Sequence, residues 1–180
     1  MKNLSISGSF STGKSSIVNK LQEEIKGAQF TPDLARVYLN RNNLTSDTLT
    51  TKQRQDMQLW VAATYIGAMT QAERSQKLNI LDGSLLEVYA YSDGVLTPSQ
   101  MASLAKWIEK HRASILALVV LPTIPLEKDG VRHTNEEFRI SIHQKIMDVI
   151  HAFNIEYQFL LGTTVEERAN EVKQHIQNYI

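Results

Sequence analysis

The segment running from Gly8 to Ser15, Gly-Ser-Phe-Ser-Thr-Gly-Lys-Ser, constrains this chain more than any other. The spacing Gly8-x-x-x-x-Gly13-Lys14-Ser15 builds a loop whose backbone N–H groups converge on phosphate oxygens, and it works only between a strand and a helix N-terminus. Both neighbours are legible. Asn3–Ser7 reads as a strand, and from Gly13 to about Ile25 a helical face carries Ile17, Val18, Leu21 and Ile25. The expected cradle is Gly8, Ser9, Phe10, Ser11, Thr12, Gly13, Lys14, Ser15 and Ser16. Lys14 is expected to reach the β- and γ-phosphates of ATP, and the Ser15 hydroxyl to ligate Mg²⁺.

Downstream, short β-type runs alternate with longer helical ones, the pattern of an α/β fold with a parallel sheet between helices. Strands are expected at Ala28–Thr31, Asn79–Leu81 with Asp82 at its end, Ile115–Leu121 and Glu156–Leu161. Helices are expected after Pro32, over Thr50–Lys77, Ser84–Ser92, Pro98–His111, Asn135–His151 and Val165–Ile180. The stretch Pro122–Thr134, with two prolines, a glycine and several charges, breaks all periodicity and reads as a lid-like loop. No repeat or composition shift divides the chain, so residues 1–180 read as one domain, its lid region at about 122–139.

Nineteen basic and nineteen acidic residues cancel, so no overall field would hold this chain on nucleic acid or an anionic membrane; a local basic groove stays open. There is no cysteine, which excludes disulfides and thiolate chemistry. No apolar run approaches a membrane span, and the N-terminus lacks a signal-peptide core, so the expected location is cytoplasmic. Five scattered histidines show no zinc spacing. Oligomeric state stays open, a homodimer included.

Ligands of parallel sheets gather at the carboxyl ends of strands, which singles out two acids. Asp82 is a candidate for holding Mg²⁺, directly or through water, or for accepting a substrate hydroxyl proton; the bland alternative is a cap for the helix near Ser84. Asp33, after the second strand, is a candidate acceptor-side carboxylate, with Arg36 one turn on; it too could be only a helix cap. In the loop, Arg132 is the first choice for neutralising a transferring phosphoryl group and Arg139 the second. Trp60, Trp107, Tyr89 and Tyr91 read as packing, while Gln58 and Tyr65 could border an acceptor site.

Taken together, Ile6–Ser15, Asp33-Leu34-Ala35-Arg36, Asp82 with Ser84-Leu85-Leu86 and Tyr89–Ser92, and Leu121-Pro122 leading to Asp129-Gly130-Val131-Arg132 resemble small P-loop kinases of the nucleoside and nucleotide kinase type. The similar group contains the nicotinamide-riboside-kinase-like AAA domains and phage-encoded nucleotide kinase-like proteins. The resemblance implies a P-loop NTPase three-layer sandwich, its five-stranded parallel sheet in the order 2-3-1-4-5 with helices on both faces. It also implies ATP and Mg²⁺ as cofactors and γ-phosphoryl transfer to a hydroxyl. Lys14, Asp33, Arg132 and Asp82 would be catalytic, Asp33, Arg36 and Arg139 would bind the acceptor, and Ser15 and Asp82 the metal. The acceptor would be a nucleoside, a nucleotide or a modified pyrimidine. A similar branch in phages with hypermodified DNA phosphorylates hydroxymethylated bases within DNA. Many relatives have Asp-Arg at the end of the third strand, whereas Gly83 follows Asp82 here; an acceptor phosphate would then need Arg36, Arg41 or Arg54 instead. The rival from another class is a partner-regulated P-loop NTPase switch, which would use water as its acceptor.

Overall fold

The computed structural model describes residues 3–123 and 135–177. Five strands form a single parallel sheet: β1 (Asn3–Ser7), β2 (Gln29–Thr31), β3 (Asn79–Asp82), β4 (Ile115–Val120) and β5 (Glu156–Leu160), in the order β2-β3-β1-β4-β5. The sheet order and the layers match those implied by the resemblance. Among the described residues seven helices follow the chain: α1 (Lys14–Glu24), α2 (Leu34–Arg41), α3 (Thr51–Ser75), α4 (Leu85–Tyr91), α5 (Pro98–His111), α6 (Glu136–Ala152) and α7 (Val165–Gln177). The sequence reading missed two 3₁₀ turns, Ser46–Thr48 and Arg112–Ser114, which are too short for periodicity to reveal.

Two apolar cores flank the sheet, and the two-residue period of a strand assigns side chains to them. All six residues of β4 are buried: Ile115, Ala117 and Val119 enter one core while Leu116, Leu118 and Val120 enter the other. The first core is closed by α2, α3, α4, α5 and α6, the second by α1 and α7. A strand apolar on both faces must be covered on both, which is why parallel crossovers through helices are the stable solution.

Helix starts are set locally. Thr50 with Gln53, and Thr97 with Gln100, form reciprocal capping boxes at α3 and α5, and Pro98 occupies the first position of α5. Because every strand runs the same way, the loops after β1, β2, β3 and β4 open at one end of the sheet. The cradle residues, Asp33 and Asp82 lie in or beside these loops.

Candidate functional site

The phosphate loop leaves β1 through backbone that an ordinary side chain would obstruct. Gly8 has φ +143°, and a Cβ there would come within 2.6 Å of the Val120 carbonyl oxygen. Gly13 is left-handed at φ +87° and leads into α1. Within the loop, the Thr12 hydroxyl donates to the Ser9 carbonyl at 3.0 Å. Lys14 is buried; its Nζ donates to the carbonyls of Gly8 at 2.9 Å and Ser9 at 2.6 Å, which places the ammonium over the cradle. Phe10 turns toward the first core, 6.0 Å from the Phe138 ring, while Ser16 is exposed on the first turn of α1.

Asp82 ends β3 and is 4% exposed. Its Oδ2 accepts from the Ser15 hydroxyl at 2.5 Å, and its Oδ1 is buried with no hydrogen-bond partner among the described residues. Burial raises this carboxyl above the usual range, opposed by the nearby Lys14 ammonium and the Ser15 hydrogen bond. The cap alternative fails for Asp82: Ser84 caps α4, its Oγ accepting from the Leu86 N–H. For Asp33 the cap reading holds, since it accepts from the Arg36 N–H at 3.2 Å as N-cap of α2. Asp33 also pairs with the Arg36 guanidinium at 3.7 Å and faces a cavity, so capping and site roles coincide in one side chain.

That cavity, about 290 Å³, opens beside Gly8 and Lys14. Its lining includes the acids Asp33, Asp82 and Glu87 and the apolar side chains Met57, Val61, Val88 and Ile142. Gln58 and Tyr65 line it, as does Arg54, which donates to the Ser46 carbonyl at 3.1 Å. The Tyr65 hydroxyl donates to the Asp82 carbonyl at 2.6 Å, and burial, followed by the negative charges of Asp82 and Glu87, pushes its pKa up. The other aromatics pack: Trp60 on Tyr38, Trp107 on His111, Tyr89 on Phe153 and Tyr91 on Phe138, with Tyr91 also reaching the cavity wall.

A family model described as AAA domain matches residues 3–168. The chain belongs to the AAA domain family. Among solved structures, this AAA domain is similar to a NadR protein in complex with NR (24% identity, TM-score 0.71, covering 99% of this chain and 51% of that one). It is similar as well to a NadR protein in complex with NAD and AMP-PNP (21%, 0.67, 98% and 49%). A thymidylate kinase from Ehrlichia chaffeensis also matches (12%, 0.63, 97% and 98%). The AAA domain thus spans about half the length of the NadR chains and nearly all of the thymidylate kinase. At these identities the likeness establishes the fold, a five-stranded parallel P-loop NTPase sheet between helices. No curated protein matches. No described helix is long and apolar enough to cross a membrane.

Two residues of the AAA domain's site escaped the sequence reading. Glu87 accepts from the Gly8 N–H at 3.1 Å and from the Ser84 hydroxyl at 2.8 Å, tying α4 to the first residue of the cradle. Its signal was the spacing Ser84-x-x-Glu87, which by itself reads only as a capping box. Arg168, on the first turn of α7, donates to the Thr12 carbonyl. Arg139 does not line the cavity; its guanidinium lies on backbone carbonyls beside the cradle. Arg132 falls outside the described residues. Arg36 reaches Asp33 and Arg41 is exposed; neither lines the cavity, which leaves Arg54 alone of those three on its wall.

Proposed function

We propose that this AAA domain is an ATP- and Mg²⁺-dependent kinase that transfers the γ-phosphoryl group to a hydroxyl of a nucleoside, a nucleotide or a related modified pyrimidine. The observation that carries the reading is the cavity: a second, partly apolar chamber opens on the same Lys14 that governs the cradle. A switch that hydrolyses its nucleotide with water needs no such chamber. The volume suits one nucleoside-sized body. A base of duplex DNA would have to be extruded from its stack to enter.

The residues present fit the metal. Asp82 Oδ1 is a buried carboxylate oxygen without a described partner, and Ser15 Oγ lies on the other oxygen of the same carboxylate. Ser15 and Asp82 would hold Mg²⁺, which when bound neutralises charge on the phosphate oxygens. Loop N–H groups and Lys14 bind the triphosphate. Asp33, in the cavity lining, orients the acceptor hydroxyl and takes its proton as the oxygen bonds to the γ-phosphorus and ADP leaves. Catalysis on this account is chiefly positioning in a site that excludes water.

The test incubates the protein with γ-labelled ATP, Mg²⁺ and a panel of nucleosides, nucleotides and hydroxymethylated DNA. Label is expected on one acceptor class. Asp33→Asn, which keeps a capping oxygen, is expected to bind AMP-PNP as the parent does while transfer falls by about 10²–10⁴. Label released only as free phosphate, whatever acceptor is supplied, would sink the kinase reading.

A further inference from the structure

Two buried arginines, one from each helical layer, end on adjacent carbonyls of the phosphate loop. Arg139 of α6 donates through Nη1 to the Ser11 carbonyl at 3.2 Å, and Arg168 of α7 donates through Nη1 to the Thr12 carbonyl at 3.2 Å. Their other bonds reach the loops that follow β4 and β5 and, for Arg139, the first residue of α6. Arg139 Nη2 donates to the Pro122 carbonyl at 3.3 Å and the Glu136 carboxylate at 2.7 Å. Arg168 donates through Nε to the Gly162 carbonyl at 2.7 Å and through Nη2 to the Thr123 hydroxyl at 3.3 Å.

A trans peptide holds its C=O and N–H on opposite sides, so a carbonyl fixed outward aims the next residue's N–H inward. The Ser11 carbonyl belongs to the same peptide unit as the Thr12 N–H, and the Thr12 carbonyl to that of the Gly13 N–H. A cation bonded to each carbonyl therefore sets the direction of a cradle donor. It also polarises the unit, making that donor stronger. The loop needs such support, because Ser11 is held left-handed at φ +53°, a conformation that a residue other than glycine keeps only when its surroundings impose it.

Charge points the same way. Arg168 is 5% exposed and its three bonds all go to neutral oxygens. A buried guanidinium without a carboxylate is costly, and an anion in the cradle would compensate it.

We propose that Arg139 and Arg168 are positioning residues for triphosphate binding, acting through the Ser11 and Thr12 carbonyls to hold and polarise the Thr12 and Gly13 N–H donors. This rests on the cradle taking a triphosphate and is independent of the acceptor.

Calorimetric titration with AMP-PNP and Mg²⁺ on the full chain tests it, with far-UV circular dichroism and urea unfolding to follow the fold. Arg139→Met and Arg168→Met are each expected to weaken binding by about tenfold, the loss of one charge-assisted hydrogen bond. The double variant should lose less than the product of the two effects, because both hold one turn of backbone. Should Arg168→Met not fold, Arg168→Lys keeps the charge but not the three-way fork, and is expected to weaken binding by roughly threefold or more. Folded Arg139→Met and Arg168→Lys proteins that bind AMP-PNP as the parent does, with only their urea midpoints lowered, would overturn the proposal. A parent that binds no AMP-PNP would overturn it too, together with the cradle itself.

Discussion

Replacing Gly83 by alanine separates two costs that the structure sets side by side. Gly83 is left-handed at φ +81°, and a Cβ there would stand 3.1 Å from the Tyr65 hydroxyl oxygen. Gly27, at φ +86°, has nothing within 4 Å of its built Cβ, so it carries the backbone cost alone. That cost is about 1–2 kcal/mol for an L-residue, offset in part by roughly 0.4–1 kcal/mol from a less flexible unfolded chain. Gly27→Ala should therefore lose on the order of 1 kcal/mol. At Gly83 the hydroxyl must also retreat a few tenths of an ångström, yet it is buried and committed at 2.6 Å to the Asp82 carbonyl. Weakening that bond adds about 1 kcal/mol. For a chain this size, each 1 kcal/mol lowers the melting temperature by about 2–4 °C. Paired urea and thermal unfolding of the two variants should show Gly83→Ala lower by that further step. Because Tyr65 lines the cavity, acceptor KM should rise in Gly83→Ala while AMP-PNP affinity holds. Equal losses in both variants would refute the argument that Tyr65 presses on position 83.

Asp33→Ala should cost about 1 kcal/mol through the lost α2 cap while Asp33→Asn costs almost nothing, which urea midpoints would read; equal losses would deny the cap. Asp82 is raised by burial, so the folded protein holds its proton more tightly than the unfolded chain does. Its contribution to stability therefore falls as pH rises through the window above the usual aspartate value. Asp82→Asn, in Mg²⁺-free buffer, should accordingly unfold at higher urea than the parent at neutral pH, the advantage shrinking toward roughly pH 4; a gap independent of pH would refute this. Added Mg²⁺ with AMP-PNP should raise the parent's melting temperature and that of Asp82→Asn much less. Glu87→Ala leaves the buried Gly8 N–H without its acceptor and should cost about 1–3 kcal/mol, whereas Glu87→Gln keeps an oxygen in place and should cost less by thermal unfolding.

Local signals carried most of the fold. The cradle, the Pro98–His111 helix and the buried run at Ile115 are each written within a few consecutive residues, where spacing, caps and apolar period act. Asp82 was legible because a strand end names its own position. Glu87 and Arg168 were not, because their partners, the Gly8 N–H and the Thr12 carbonyl, lie 79 and 156 residues away and are backbone atoms that no residue type advertises. Arg139 shows the complementary error. An arginine after a basic loop reads as a phosphate ligand, and only its position beside the cradle shows that its donors meet the Ser11 and Pro122 carbonyls and the Glu136 carboxylate.

The sheet order also bears on how the chain is made. β1 is made before the other four strands, yet its neighbours begin at Asn79 and Ile115, so one of its edges has nothing to pair with until β3 is made and the other until β4 is made. Closing such distant pairings is slow, and an unpaired apolar strand invites association while it waits. The strand made before the others is thus among the last to be locked in place. Truncation before β4 should yield chains that aggregate or recruit chaperones instead of a smaller nucleotide-binding unit.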